Sequence, residues 1–174
     1  MQDLWLLKLT GSIEACEERL APLRRGGAAL QAWHALSGEL SYVYLAGELP
    51  AIEAAAPGTQ WRRLIGRLDL PGASARQAPA FHYVVETDVL PAHETDFIAW
   101  YDTEHLPGLA AVPGTVRAAH FVCTAGSPRY HACYDLVTPE TLGCEPWLAV
   151  RNSAWSSRVR PTFRNTQRTM FRRA

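Results

Sequence analysis

The chain lacks most of the features that announce a ready-made chemistry. Its four cysteines, Cys16, Cys123, Cys133 and Cys144, show no CxxC spacing, which removes zinc-ribbon and dithiol readings. Cys123 and Cys133 sit in strand-like runs that can be hairpin neighbours. A disulfide framework, however, belongs to small secreted chains with weak cores, so the expectation is a reduced, cytoplasmic protein. Six histidines occur without HxxE, HxH or HExxH spacing, so no metal site is expected. GxGxxG, GxxxxGKS/T and GxSxG are missing as well, which leaves nucleotide binding and serine-hydrolase chemistry without support. No apolar run approaches the ~20 residues that span a bilayer. Met1–Lys8 carries no basic start before a long apolar stretch, so it does not read as a signal peptide. Charge of one sign is also lacking, since seventeen basic residues balance seventeen acidic ones. That balance gives no electrostatic reason to expect nucleic acid or an anionic membrane as partner. Arginine does gather from Arg151 onward (Arg151, Arg158, Arg160, Arg164, Arg168, Arg172, Arg173). On an alternating strand these read as a solvated face rather than a phosphate track.

What is present suits a folded α+β protein. The 174 residues are 48% hydrophobic and 20% charged, with six tryptophans, enough to bury a sizeable core. Residues 4–10 read as a buried strand, and Ser12 is placed to cap a helix over Ile13–Arg25 that Gly26-Gly27 ends. Strands are expected at Ala28–Leu36 and Leu40–Ala46, joined by a short hairpin turn. A short Ala-rich helix follows at Pro50–Ala56, then a strand at Gln60–Leu70. Residues 71–79 are small with a proline at each end, a linker composition. After them the order restarts: a strand at Phe81–Val89, a helix within Pro91–Leu106, and strands at Thr115–Thr124 and Arg129–Val137. Pro139–Ser157 reads as helix plus irregular structure, and Thr162–Arg172 as a last strand. Both halves therefore follow β-α-β-β-α-β, the split βαβ or ferredoxin-like unit. Such a sheet, with both helices on one face, leaves its other face bare. Two tandem copies (1–70 and 80–174) would cover each other by packing into one α/β barrel.

Asp96–Gly108 says most about function. It is free of glycine and proline until Pro107, so it reads as a helix stopped by Leu106-Pro107-Gly108. One stripe runs Phe97, Trp100, Tyr101, Glu104, His105 at helical spacing. An apolar face thus ends in an acid and an imidazole, which are costly to bury unless paired or facing a wet pocket.

Trp100-Tyr101, His105-Leu106-Pro107 and the later Val112-Pro113-Gly114 before a strand resemble the EthD-like branch of the dimeric α/β barrel superfamily. Arg129–Leu136 and Phe163–Arg168 are similar to its third and last strands. The likeness covers about residues 80–174. Gly108 departs from it, standing where leucine is usual. The first half has no equivalent motif and reads as a diverged copy that completes the barrel within one chain. The resemblance implies a small-molecule site in a superfamily that includes cofactor-free monooxygenases, cyclases, isomerases, dehydratases and haem proteins. It names no reaction.

Several residues carry the chemical readings. His105, with Glu104 and with His120 on a small apolar strand face, is the candidate for moving a proton. Each has a plain alternative, such as a core histidine bonded to a backbone carbonyl. Trp100, Tyr101, Tyr83 and Tyr130 are candidate pocket walls or simply core. Arg168 is placed to hold a carboxylate or phenolate, or to sit at the surface. The leading expectation is a cofactor-independent enzyme acting on a small apolar or aromatic molecule by cyclisation, isomerisation, dehydration or oxygenation. A non-catalytic binding or assembly module is the alternative, and a haem protein using His105 or His120 the second. Pairing of whole barrels into homodimers stays open.

Overall fold

The computed structural model describes residues 2–49 and 60–173. The helix expected at Pro50–Ala56 lies outside the described residues. Strands β1 (Leu4–Thr10), β2 (Leu30–Ala35), β3 (Leu40–Ala46) and β4 (Trp61–Pro71) belong to the first half, with helix α1 (Ile13–Arg25) between β1 and β2. Ser12 caps α1, its side chain accepting from the Ala15 amide. The second half holds β5 (Phe81–Val89), β6 (Thr115–Cys123), β7 (Tyr130–Leu136) and β8 (Phe163–Arg173). Its helices are α2 (Glu94–Trp100), α3 (Leu106–Ala110), α4 (Glu145–Arg151) and α5 (Ala154–Val159).

All eight strands pair antiparallel into a closed barrel ordered β1-β3-β2-β8-β5-β7-β6-β4. Within each half the strands stand fourth-first-third-second, so two like sheets meet at β2–β8 and β4–β6. The α+β class and the closure of two ferredoxin-like sheets into one barrel are as the sequence pattern predicts. Residues after β4 are tied to the second half. The amides of Gly72 and Ser74 bond to Val116 and Thr115 carbonyls. A Cβ on Gly72 would stand 2.1 Å from the Thr115 carbonyl oxygen, so only glycine allows that approach.

Closure creates three apolar layers. Leu6, Trp33, Tyr42, Phe121 and Phe171 fill the barrel. Leu7, Leu9 and Val43 meet Cys16, Leu20 and Leu23 beneath α1. The third layer, between the second sheet and its helices, includes Tyr83, Phe97, Trp100, Tyr101, Tyr134 and Trp147. Strand parity follows. Tyr83 and Val85 of β5, Ala118 and His120 of β6, and Tyr130 and Tyr134 of β7 face the helices, while His82, Glu86, His131 and Cys133 face the barrel interior. The interior acids are paired, Glu86 across the halves: it meets Lys8 at 2.6 Å and accepts from Tyr42. His82 bridges Asp135 at 2.6 Å and the Tyr44 hydroxyl at 3.1 Å. All four cysteines are free, and Cys133 stands opposite Ala119 rather than Cys123.

One helix departs from expectation. The segment opening with α2 does not stop at Pro107 but continues to Ala110 through a π turn, Tyr101–His105. In that turn the Leu106 amide reaches back to the Tyr101 carbonyl. The widened turn already breaks the i→i−4 ladder, so the missing Pro107 amide costs little there. Its extra residue also rotates everything downstream by about 100°. Gly108 then faces α4: a Cβ there would lie 2.9 Å from a Val150 methyl. Close packing against Val150 is the physical reason that position 108 takes a glycine.

Candidate functional site

Between the second sheet and its helices lies a cavity of about 180 Å³. One wall is helical: Trp100, Tyr101 and His105 from the α2–π–α3 segment, with Leu109 beyond. Tyr83 and Val85 of β5 and Tyr134 of β7 form the sheet wall. Trp147 of α4 and Phe163 of β8 close the sides. Tyr134 and Trp147 meet edge to face with ring centroids 5.2 Å apart, and Tyr83 approaches both. Such interlocked rings resist rotation, so the wall is stiff. At the mouth stand Arg151, Arg160 and Arg168, none within 4.0 Å of a carboxylate among the described residues.

His105 is set by the π turn. Its ring stacks on Trp100 at 4.0 Å with an interplanar angle of 24°, and Tyr101 meets it edge-on. Its Nδ1 is shut in without a partner, which leaves Nε2 as the nitrogen available to a ligand. Burial, then the charges of Arg160 and Arg151, push its pKa down to about 3. The imidazole is therefore neutral at physiological pH and carries a free lone pair. The same burial pushes the Tyr101 and Tyr83 hydroxyls upward from the ordinary phenol value, so the phenols stay protonated.

The other named residues fall in different places. Trp100, Tyr101, Tyr83 and Arg168 line the cavity with His105. Glu104 does not: the π turn moves it off the stripe, and it accepts from Ser153 Oγ at 2.5 Å. Ser153 in turn caps α5, so Glu104 ties two helices together. His120 is fully buried beneath Tyr101, ring centroids 4.3 Å apart, with Tyr130 at 5.7 Å on another side. Neither of its nitrogens has a protein partner, and burial pushes its pKa down to about 3. Tyr101 stands between it and the cavity wall. Tyr130 faces away and donates to Glu94. Arg151, Arg160, Trp147 and Phe163 were not singled out from sequence. The arginine-rich ending was a signal, but its strand-like periodicity hid that two of these arginines lie on helical turns.

A haem does not fit this arrangement. The cavity is smaller than the ~300–1,000 Å³ of ordinary ligand pockets, and the buried aromatic wall leaves no slot for a macrocycle. His120, the other axial candidate, is sealed off.

The comparisons with known proteins bear on the fold. A provisionally named monooxygenase of Fusobacterium nucleatum superposes with a TM-score of 0.69 at 9% identity, covering 98% of this chain and 91% of that one. A ferredoxin-fold protein of Listeria monocytogenes related to antibiotic biosynthesis monooxygenases gives 0.66 at 7%, covering 100% and 96%. A heme-degrading enzyme from the same species gives 0.61 at 8%, covering 97% and 98%. No protein-family model and no curated protein matches the sequence. The class defined is thus structural: a ferredoxin-like α/β barrel, of the architecture found in these proteins, with an aromatic cavity on one helix–sheet layer.

Proposed function

We propose that this is a cofactor-independent enzyme of the EthD-like type, which binds a small aromatic or apolar molecule in the cavity and moves a proton with His105. The observation that carries the reading is a neutral, partly accessible imidazole fixed against Trp100 in the wall of a small aromatic cavity. A low pKa makes His105 a weak base in the empty site, yet it guarantees the unprotonated form. Charge developing on the substrate as the proton leaves would raise that pKa in the transition state, where help counts. Tyr83, Tyr101 and the arginines are placed to stabilise an enolate or phenolate oxygen. Glu104 supports the site by holding α5 against the π turn.

Exchange of solvent deuterium into the α-carbon of enolisable aryl ketones tests this directly. Wild-type protein should speed exchange, and H105F, which keeps the stack on Trp100, should lose ~10²-fold or more. Equal exchange by both proteins would leave a binding module as the better reading.

A further inference from the structure

Arg151, Arg160 and Arg168 come from three separate elements (the end of α4, the turn before β8, and β8 itself) and converge on one mouth. Elsewhere arginines beside carboxylates are used to fasten the surface: Arg117 holds Asp69 at 2.8 Å, Arg129 holds Glu94 at 2.8 Å, and Arg158 holds Asp96 at 3.0 Å. Three guanidinia without carboxylate partners among the described residues repel one another around one opening, and the half-buried position of Arg160 sharpens the cost. The effect is visible at Arg160, whose pKa is pushed below its ordinary value by burial and then by Arg151 and Arg168. The whole chain has no net charge, so this is a local concentration and not a by-product of composition.

We propose that the ligand of the cavity is a small aromatic acid: one ring lodged among the aromatic side chains and a carboxylate held at the arginine mouth. This rests on the cavity being the ligand site. The volume, about 180 Å³, suits a single ring, since an engineered apolar cavity of ~150 Å³ accepts benzene. Tyr83, Tyr134 and Trp147 supply rings for edge or face contacts. Guanidinium forks fit the planar carboxylate, and the bound anion relieves the repulsion that the empty mouth carries. A neutral ring gains only the first of these contributions.

The test pairs acids with their neutral amides (benzoate with benzamide, salicylate with salicylamide), titrated by tryptophan fluorescence and by thermal shift. Acetate at equal concentration serves as the anion without a ring. The acids should bind roughly tenfold or more tighter than the amides, with acetate giving no saturable signal. R168Q and R160Q should each collapse the acid-to-amide ratio, the acid losing far more affinity than the amide. R168K, which keeps a charge without the fork, should fall between. Amides binding as well as acids, or acetate matching benzoate, would overturn the proposal while leaving the cavity reading intact. Acid preference unchanged in both glutamine variants would also overturn it. If no compound of either charge binds, the cavity itself is not the ligand site and both readings fail.

Discussion

The two helix–sheet layers of this barrel share a strand order and little else. Among the described residues the contact under α1 is mainly aliphatic, leucine, valine, alanine and Cys16, with Trp61 packed against it and His34 buried beside Glu17 of the helix. Under the second half's helices it is built largely of aromatic rings, leaves a cavity, and buries His105 and His120 without partners. The first layer is the plainer core, since branched aliphatic side chains mesh closely and its buried imidazole, His34, is bonded to Ser41 at 2.7 Å. Flat rigid rings tile less completely, and the buried imidazoles cost stability that packing alone would not spend. The lesson is that, of these two like sheets, the candidate site lies on the one whose helix layer packs less completely.

Acid should break this comparison most strongly. His105 and His120 have folded pKa values near 3 against an ordinary 6.5, so the unfolded chain binds their protons first. Their neutral forms hold full stability above about pH 6.5; the contribution is lost progressively as pH falls towards 3, by up to about 1.4 kcal/mol per pH unit for each ring. Urea titrations at a series of pH values should show the loss, and hydrogen exchange should place it in the second half's layer first. Next in size, Leu20→Ala in the aliphatic layer should cost about 3 kcal/mol and leave ligand affinity at the cavity unchanged, as calorimetry would show. His120→Phe should act in the opposite sense, raising stability by about 1 kcal/mol because two unsatisfied nitrogens disappear. It should also leave deuterium exchange untouched, whereas a drop in exchange would return His120 to the chemistry. The smallest effect is expected at Glu104→Gln, which weakens one bond to Ser153 by about 1 kcal/mol and should lower melting temperature without altering the pH profile of exchange.

The strands and their order were legible in the sequence because each half alternates and punctuates cleanly. Phe81–Val89 matches its strand end to end. Which face of each strand meets the helices was not legible, since a period of two fixes two sets without labelling them. The aromatic stripe Phe97, Trp100, Tyr101 reads directly from helical spacing, and the structure buries all three. Glu104 and His105 could not be separated that way. Spacing assigns both to the stripe, and only a backbone irregularity decides between them. Arg151 and Arg160 were hidden for another reason: their elements are remote in sequence from Tyr83 and His105, and only barrel closure with two short helices brings them to one opening.

The π turn at Tyr101–His105 has a consequence for how such a site can vary. In effect it is one residue more than a regular helix needs, accommodated as a bulge. Removing Thr103, an exposed residue in that turn, should let the helix close to a regular ladder with His105 then four residues after Trp100 and still on the cavity face. A residue can therefore be gained or lost in this turn with the helix beyond it keeping its face to the sheet, so the turn tunes the local groups, Glu104 above all, without disturbing the barrel beneath.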